Sequence, residues 1–252
     1  SQAGDANYDP GSVSTTITVN KAVATLSAMP SVTKNFGDAS FNLVAPTSAA
    51  TGAITFVSSN TNVATISGST ISIIGAGTST ITASQATDAN YLGATTSTTL
   101  TVNKIAPTLG AMTTISKVFG DANFTITPPS TNSTGAFTYT SSDTNVATIT
   151  GDLVSIVGAG TATISVDQAT DSNYLAAATS VSLAVNKAPV VFGTTTAITK
   201  NHGDADFILT PPQTNSTGAF TYSSNNPSIA TINGNLVTIQ GIGTTTITVN
   251  QA

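Results

Sequence analysis

Cysteine, tryptophan, glutamate and arginine are all missing from these 252 residues. Without cysteine there is neither a disulfide framework nor a thiolate metal site, so stability has to come from packing. Without arginine, and with six lysines against eleven aspartates, the net charge is −5. No cluster of cations is available to neutralise phosphates, which excludes nucleic acid as a partner and disfavours an anionic membrane surface. Two strong helix formers are gone, while Thr, Ser, Val, Ile, Asn and Gly fill the chain, and that balance favours strands. No apolar run approaches the roughly 18 residues of a membrane span, so this segment does not insert into a bilayer. Ser1 does not open a basic and then apolar leader, so a targeting signal is expected outside these residues. What is present is 39% hydrophobic, enough apolar matter for a folded chain.

The strongest feature is a long internal repeat. The motif Phe36-Gly37-Asp38-Ala39 returns as Phe119-Gly120-Asp121-Ala122 and as His202-Gly203-Asp204-Ala205, a spacing of 83 (119 − 36 and 202 − 119). Asn20-Lys21, Asn103-Lys104 and Asn186-Lys187 keep that spacing, as do Gln2, Gln85, Gln168 and Gln251. Boundaries at the Asn-Lys pairs divide the chain into 1–20, 21–103, 104–186 and 187–252. The first is read as the last strand of a preceding repeat, the next two as whole repeats, and the fourth as a repeat without its last strand.

Inside a repeat the apolar period is two. Phe124 and Ile126, Phe137 and Tyr139, then Ala162, Ile164 and Val166, and finally Leu183 and Val185 alternate with Thr, Ser or other small residues. Such alternation marks strands with one buried face and one wet face. Clusters of Gly, Pro, Asn and Asp separate about seven of them, the pattern of an antiparallel sandwich. The fold class is therefore all-β: tandem immunoglobulin-like Greek-key sandwiches. An odd number of strands puts entry and exit at opposite ends of each sandwich, and the Asn-Lys junctions leave no slack. An elongated array follows.

Ser141 to Ile149 followed by Gly158 to Ile164 resembles the signature of the group 2 bacterial immunoglobulin-like domains. Ser58 to Ile66 with Gly75 to Ile81 matches as well, and Ser223 to Ile247 more loosely. The flanking "FGDANFTITPP" and "NYLAAATSVSLAVNK" resemble the related mostly-β, glycine-containing repeats of large secreted bacterial proteins. The resemblance implies an extracellular, cell-surface location and a stalk or filament that spaces a distal adhesive region from the cell. Two other functions remain open: a fibre subunit joined by strand complementation, and a module whose loops bind a glycan or receptor. The expected partners are neighbouring repeats or other copies of the chain.

Candidate chemistry is sparse. His202 stands where the other repeats carry Phe36 and Phe119, so its position accepts a hydrocarbon ring. With no repeated His, no Cys and no Glu, neither a triad nor a zinc site can be assembled, and the chain is read as non-enzymatic. Asp38, Asp121 and Asp204 lie in the first turn of each repeat, and Asp5, Asp88 and Asp171 in the loop before the last strand. In an elongated array the first turn of one repeat faces the last loop of the next, which would bring two carboxylates to a junction. Calcium takes six to eight oxygens and usually several carboxylates, so these aspartates are read as turn residues bonded to their own backbone. Lys21, Lys104 and Lys187, and likewise Lys34, Lys117 and Lys200, are read as solvated. No catalytic residue, metal or cofactor is assigned.

Overall fold

The computed structural model describes residues 1–252 and contains strands but no helices. No helix is long and apolar enough to cross a membrane. Residues 104–186 form two sheets. In the four-stranded sheet the order is Ile115–Val118, Ala177–Asn186, Gly160–Gln168 and Phe137–Ser141; the three-stranded sheet runs Phe124–Thr125, Leu153–Ile156 and Ala147–Thr150. The same arrangement recurs over 21–103, with Ala94–Asn103 between Val32–Asn35 and Gly77–Gln85.

The period-two pattern explains how the sheets face each other. Ile164, Val166, Leu183 and Val185 from one sheet and Ile126, Ala147 and Val154 from the other form a single buried cluster. Ile81, Leu100 and Ile71 occupy matching places in the preceding repeat, each with no exposed surface. Hairpins close where the sequence supplies glycine. Thr150 pairs with Leu153 across Gly151 and Asp152, and Gly151 has a φ of 62°, as the first central residue of a type II′ turn requires.

Strand direction decides how the chain passes through each sandwich. Ile115–Val118 pairs in parallel with the last strand, Ile115 opposite Leu183 and Val118 opposite Asn186. Val32–Asn35 does the same with Leu100 to Asn103. First and last strands that run side by side in the same sense carry the chain in at one end and out at the other.

Residues 187–252 differ more than the sequence indicates. The three-stranded sheet is present, Phe207–Ile208 with Leu236–Ile239 and Ala230–Asn233, but the other sheet is reduced to Phe220–Ser224 beside Ile247–Gln251. These residues hold no counterpart of Ala94–Asn103 or Ala177–Asn186, and the counterpart of the first strand, residues 198–201, is not a strand either. The reason is topological: in the complete repeats that segment bonds only to the last strand. Only Ala230 and Val237 are buried here among the apolar residues. Residues 1–20, read from sequence as a strand, have a single bridge between Gln2 and Gly11, and residues 12–20 form no strand and bond to no other strand.

Candidate functional site at the repeat junction

The loop before the last strand is organised by one aspartate. In residues 104–186 the Asp171 Oδ1 accepts the Asn173 and Tyr174 backbone N–H groups, both at 2.8 Å. Its Oδ2 accepts the Thr134 N–H at 2.7 Å and the Ser133 hydroxyl at 2.9 Å. Asp88 repeats the scheme with Asn90, Tyr91 and Thr51. One half-buried carboxylate thus ties together two loops about 37 residues apart in sequence.

Charge-assisted bonds of this kind hold the ionised form. The Thr134 N–H above all, then those of Asn173 and Tyr174 with the Ser133 hydroxyl, hold the Asp171 carboxyl well below the usual carboxylate range against an opposing contribution from burial. For Asp88 the Thr51 N–H leads, followed by those of Asn90 and Tyr91. A carboxyl depressed in the folded state contributes stability that is present above its unfolded value, about 3.9, and lost as pH falls below it. The melting temperature should therefore drop as pH is lowered from about 5 to about 2. Asp171→Asn, which presents an NH2 to the Thr134 N–H or forfeits the Asn173 and Tyr174 bonds, should lower melting by several degrees at neutral pH and flatten the acid slope. A slope unchanged by Asp88→Asn and Asp171→Asn together would refute this account.

The lysine that opens each repeat reaches this loop. Lys104 Nζ donates to the Asp171 carbonyl oxygen and, at 3.2 Å, to the Thr170 hydroxyl; Lys21 reaches the Asp88 carbonyl oxygen. The backbone follows, with Ile105 bridging Tyr174 in parallel and Ala22–Val23 pairing with Tyr91–Leu92. The other lysines correct the sequence reading. Lys34, Lys117 and Lys200 stand over the rings of Phe41, Phe124 and Phe207 at 4.9, 4.8 and 5.1 Å. They cover half-buried aromatic faces as well as meeting solvent.

Two contacts then cross from one repeat to the next. The Asn173 Oδ1 accepts the Ala76 N–H at 2.9 Å, and the Tyr174 ring meets Phe36 edge-on, with centroids 5.5 Å apart and planes at 82°. The first turn of one repeat does face the last loop of its successor, as the array reading expected. The carboxylates there are occupied by backbone: Asp38 accepts the Asn35 N–H at 2.9 Å, Asp121 that of Val118 at 2.8 Å and Asp204 that of Asn201 at 2.9 Å. His202, at the third copy of this turn, is exposed. No three His, Cys, Asp or Glu residues gather into a group able to hold a metal ion.

The recurring glutamine, a mere landmark in the sequence, has a structural role. Gln168 is 2% exposed; its Nε2 donates to the Ser133 and Gly135 carbonyl oxygens at 3.2 and 3.0 Å, and its Oε1 accepts the Thr131 hydroxyl at 2.9 Å. Gln85 makes the two donor bonds to Ala50 and Gly52, yet its Oε1 is buried without a partner, and Ser48, at the position of Thr131, does not bond to it. A polar residue in the apolar phase of a strand, after Ile164 and Val166, was the available sign of a buried polar clamp.

Residues 213–252 match the family model "Intimin, immunoglobulin-like domain". The segment spans the loop, strands and turns from Gln213 to Ala252. No curated protein matches the chain. Among solved structures it is similar to Drosophila N-cadherin EC1-4, at 11% identity over 87% of this chain and 67% of that one, with a TM-score of 0.30. Domains 4–9 of the surface layer protein SbsC are 17% identical over 92% of this chain and 46% of that one, with a TM-score of 0.27. The titin domains z1z2, solved in complex with telethonin, are 14% identical over 68% of this chain and all of that one, with a TM-score of 0.31.

Proposed function

We propose that the chain is a spacer segment of a bacterial surface adhesin, a non-enzymatic stalk of immunoglobulin-like repeats that holds a distal binding region away from the cell. The match of residues 213–252 to an intimin immunoglobulin-like domain supports a surface adhesin-type module of tandem repeats. The observation that carries the stalk reading is the parallel pairing of first and last strands in both complete repeats. Tension on the two ends of such a repeat slides these strands along each other and loads their hydrogen bonds together, rather than opening them one at a time. The Asn173 bond and the Phe36–Tyr174 contact across the junction favour a fixed angle between successive repeats. Two lysines per repeat and no arginine leave trypsin-like proteases little to cut.

Small-angle scattering tests the proposal. Strands of about ten residues rising about 3.4 Å each give about 35–40 Å per repeat, so three in line span about 110 Å with a radius of gyration near 30 Å. A compact chain of this length has a radius of gyration of about 18 Å. The larger value is expected for the monomer at high dilution; the smaller one would refute the stalk.

A further inference from the structure

Three consecutive residues set the first complete repeat apart. The run "TNS" of 131–133 and 214–216 is "SAA" at 48–50, the same place in the repeat of 83. In the two later repeats the asparagine ties this loop to the segment that opens the repeat. The Asn132 Oδ1 accepts the Thr108 N–H at 2.8 Å, and the Asn215 Oδ1 that of Val191 at 2.9 Å. Ala49 has no oxygen to offer, and the Thr25 N–H, the counterpart of the Thr108 N–H, makes no hydrogen bond within the chain. The Gln85 Oε1, in a residue only 5% exposed, is also without a partner, where the Gln168 Oε1 accepts the Thr131 hydroxyl.

Thr25, Leu26 and Ser27 on one side and Thr47, Ser48 and Ala49 on the other line a cleft of about 470 Å³ at this place. Its walls lie wholly within residues 21–103. In the second repeat, which follows another, the hydrogen bond and the ring contact to the preceding repeat come from Asn173 and Tyr174, not from 108–110 or 130–132. Stacking of repeats therefore leaves this face uncovered. Three donors at the cleft are uncommitted: the Thr25 N–H and the hydroxyl protons of Ser27 and Ser48, whose oxygens accept the Thr47 N–H at 2.9 Å and the Ala50 N–H at 3.1 Å. Leu26 and Ala49 supply apolar surface. No lining side chain is charged, and a net charge of −5 opposes an anion. The ligand that fits is small, neutral and rich in acceptor oxygens, with one apolar group.

We propose that this cleft binds an N-acetylated hexosamine of a neutral glycan through its acetamido group. The acetamido carbonyl oxygen accepts the Thr25 N–H, as the Asn132 Oδ1 accepts that of Thr108. The methyl group rests against Leu26 and Ala49, where the asparagine side chain lies in the later repeats. A ring hydroxyl beside the acetamido group accepts from Ser27. With a small shift of Ser48, which lines the cleft at the position of Thr131, that hydroxyl donates to the Gln85 Oε1 and gives it the partner that Gln168 has. A buried acceptor left unpaired costs free energy, so satisfying Gln85 on binding favours a ligand that brings a donor.

A sugar is favoured over an asparagine side chain of a partner protein. The uncommitted groups are three donors and one acceptor gathered around a single cleft, which asks for several oxygens on one small ring, whereas an asparagine brings one. The proposal goes beyond the stalk reading and does not rest on it, because sugar binding by the cleft and the length of the array are measured separately.

Titration of the isotope-labelled 252-residue chain with N-acetylglucosamine and, separately, N-acetylgalactosamine tests it, read through the amide resonances. With at least one of them, saturable shifts are expected at Thr25, Ser48 and Ala49 and at the side-chain amide of Gln85, and none at Thr108 or Asn132. Glucose, with a hydroxyl in place of the acetamido group, should bind at least about tenfold more weakly, the worth of one well-made hydrogen bond. Ser48→Thr with Ala49→Asn and Ala50→Ser installs a run that already folds at the same place in the later repeats. This triple variant should keep or raise the melting temperature and abolish the shift at Thr25, and Ala49→Asn alone should do the same. No saturable shift with either sugar, an equal response to glucose, binding that survives Ala49→Asn, or preference for a blocked asparagine peptide over both sugars overturns the proposal.

Discussion

Leu183→Ala should destabilise residues 104–186 by about 2 to 5 kcal/mol, the range for deleting a buried leucine side chain and leaving a cavity. Leu183 is fully buried in the largest apolar cluster. It also lies in the strand that holds both Ile115–Val118 and Gly160–Gln168 in their sheet. Chemical denaturation followed by near-ultraviolet signals from Tyr139 and Tyr174 reads the effect. Ile17→Ala, at the same register but 82% exposed, should change the stability of the dilute monomer by no more than about 0.5 kcal/mol. Equal effects at the two positions would show that the buried last strand does not hold the sandwich together.

The second large effect is expected at Gly135. A Cβ added there overlaps the Ala169 carbonyl oxygen, and because that atom is backbone, no side-chain rotation relieves it. The displaced loop would lose the Ala169 N–H to Ala136 carbonyl bond of 2.9 Å and the Gln168 bonds to Ser133 and Gly135. Gly135→Ala should therefore cost about 3 kcal/mol, at the upper end for overpacking. Hydrogen exchange should show early loss of protection in Phe137–Ser141. Gly52 stands equally against Ala86 and Gly218 against Ala252, so Gly52→Ala should act alike in the first repeat. Gly11→Ala, whose Cβ would meet nothing within 4 Å, is the control that should leave the chain unchanged. Normal protection in the Gly135→Ala variant would refute the tight approach of loop and strand.

Most of the fold could be read from local pattern. Alternating Ile164, Val166 and Leu183, Val185 mark the inner faces because a strand's side chains change sides at every residue, and the structure buries all four. The type II′ turn at Gly151 is equally local. The candidate site was only half visible. The turn role of Asp171 is legible in sequence because the groups it caps, the Asn173 and Tyr174 N–H, are two and three positions away. Its bonds to Ser133 and Thr134 join loops that only folding brings together. The contact of Lys117 is hidden in sequence for the same reason: Phe124 is seven residues away, and only the sheet arrangement places its ring beneath the ammonium.

The sequence by itself determined the repeat of 83 residues, the all-β composition, the phase of the inner faces in residues 21–186 and the lack of cysteine and glutamate. Those properties are carried by single residues or near neighbours, so pattern and side-chain type suffice to read them. The tertiary structure decided which strand each edge bonds to, and hence that Val32–Asn35 and Ile115–Val118 are held in their sheets by the last strand alone. It also decided that Gln168 closes a loop, and that Asn173 and Tyr174 hold the preceding repeat through Ala76 and Phe36. Those are relations between residues tens of positions apart, set by hydrogen-bond direction and side-chain reach once the sheets have packed.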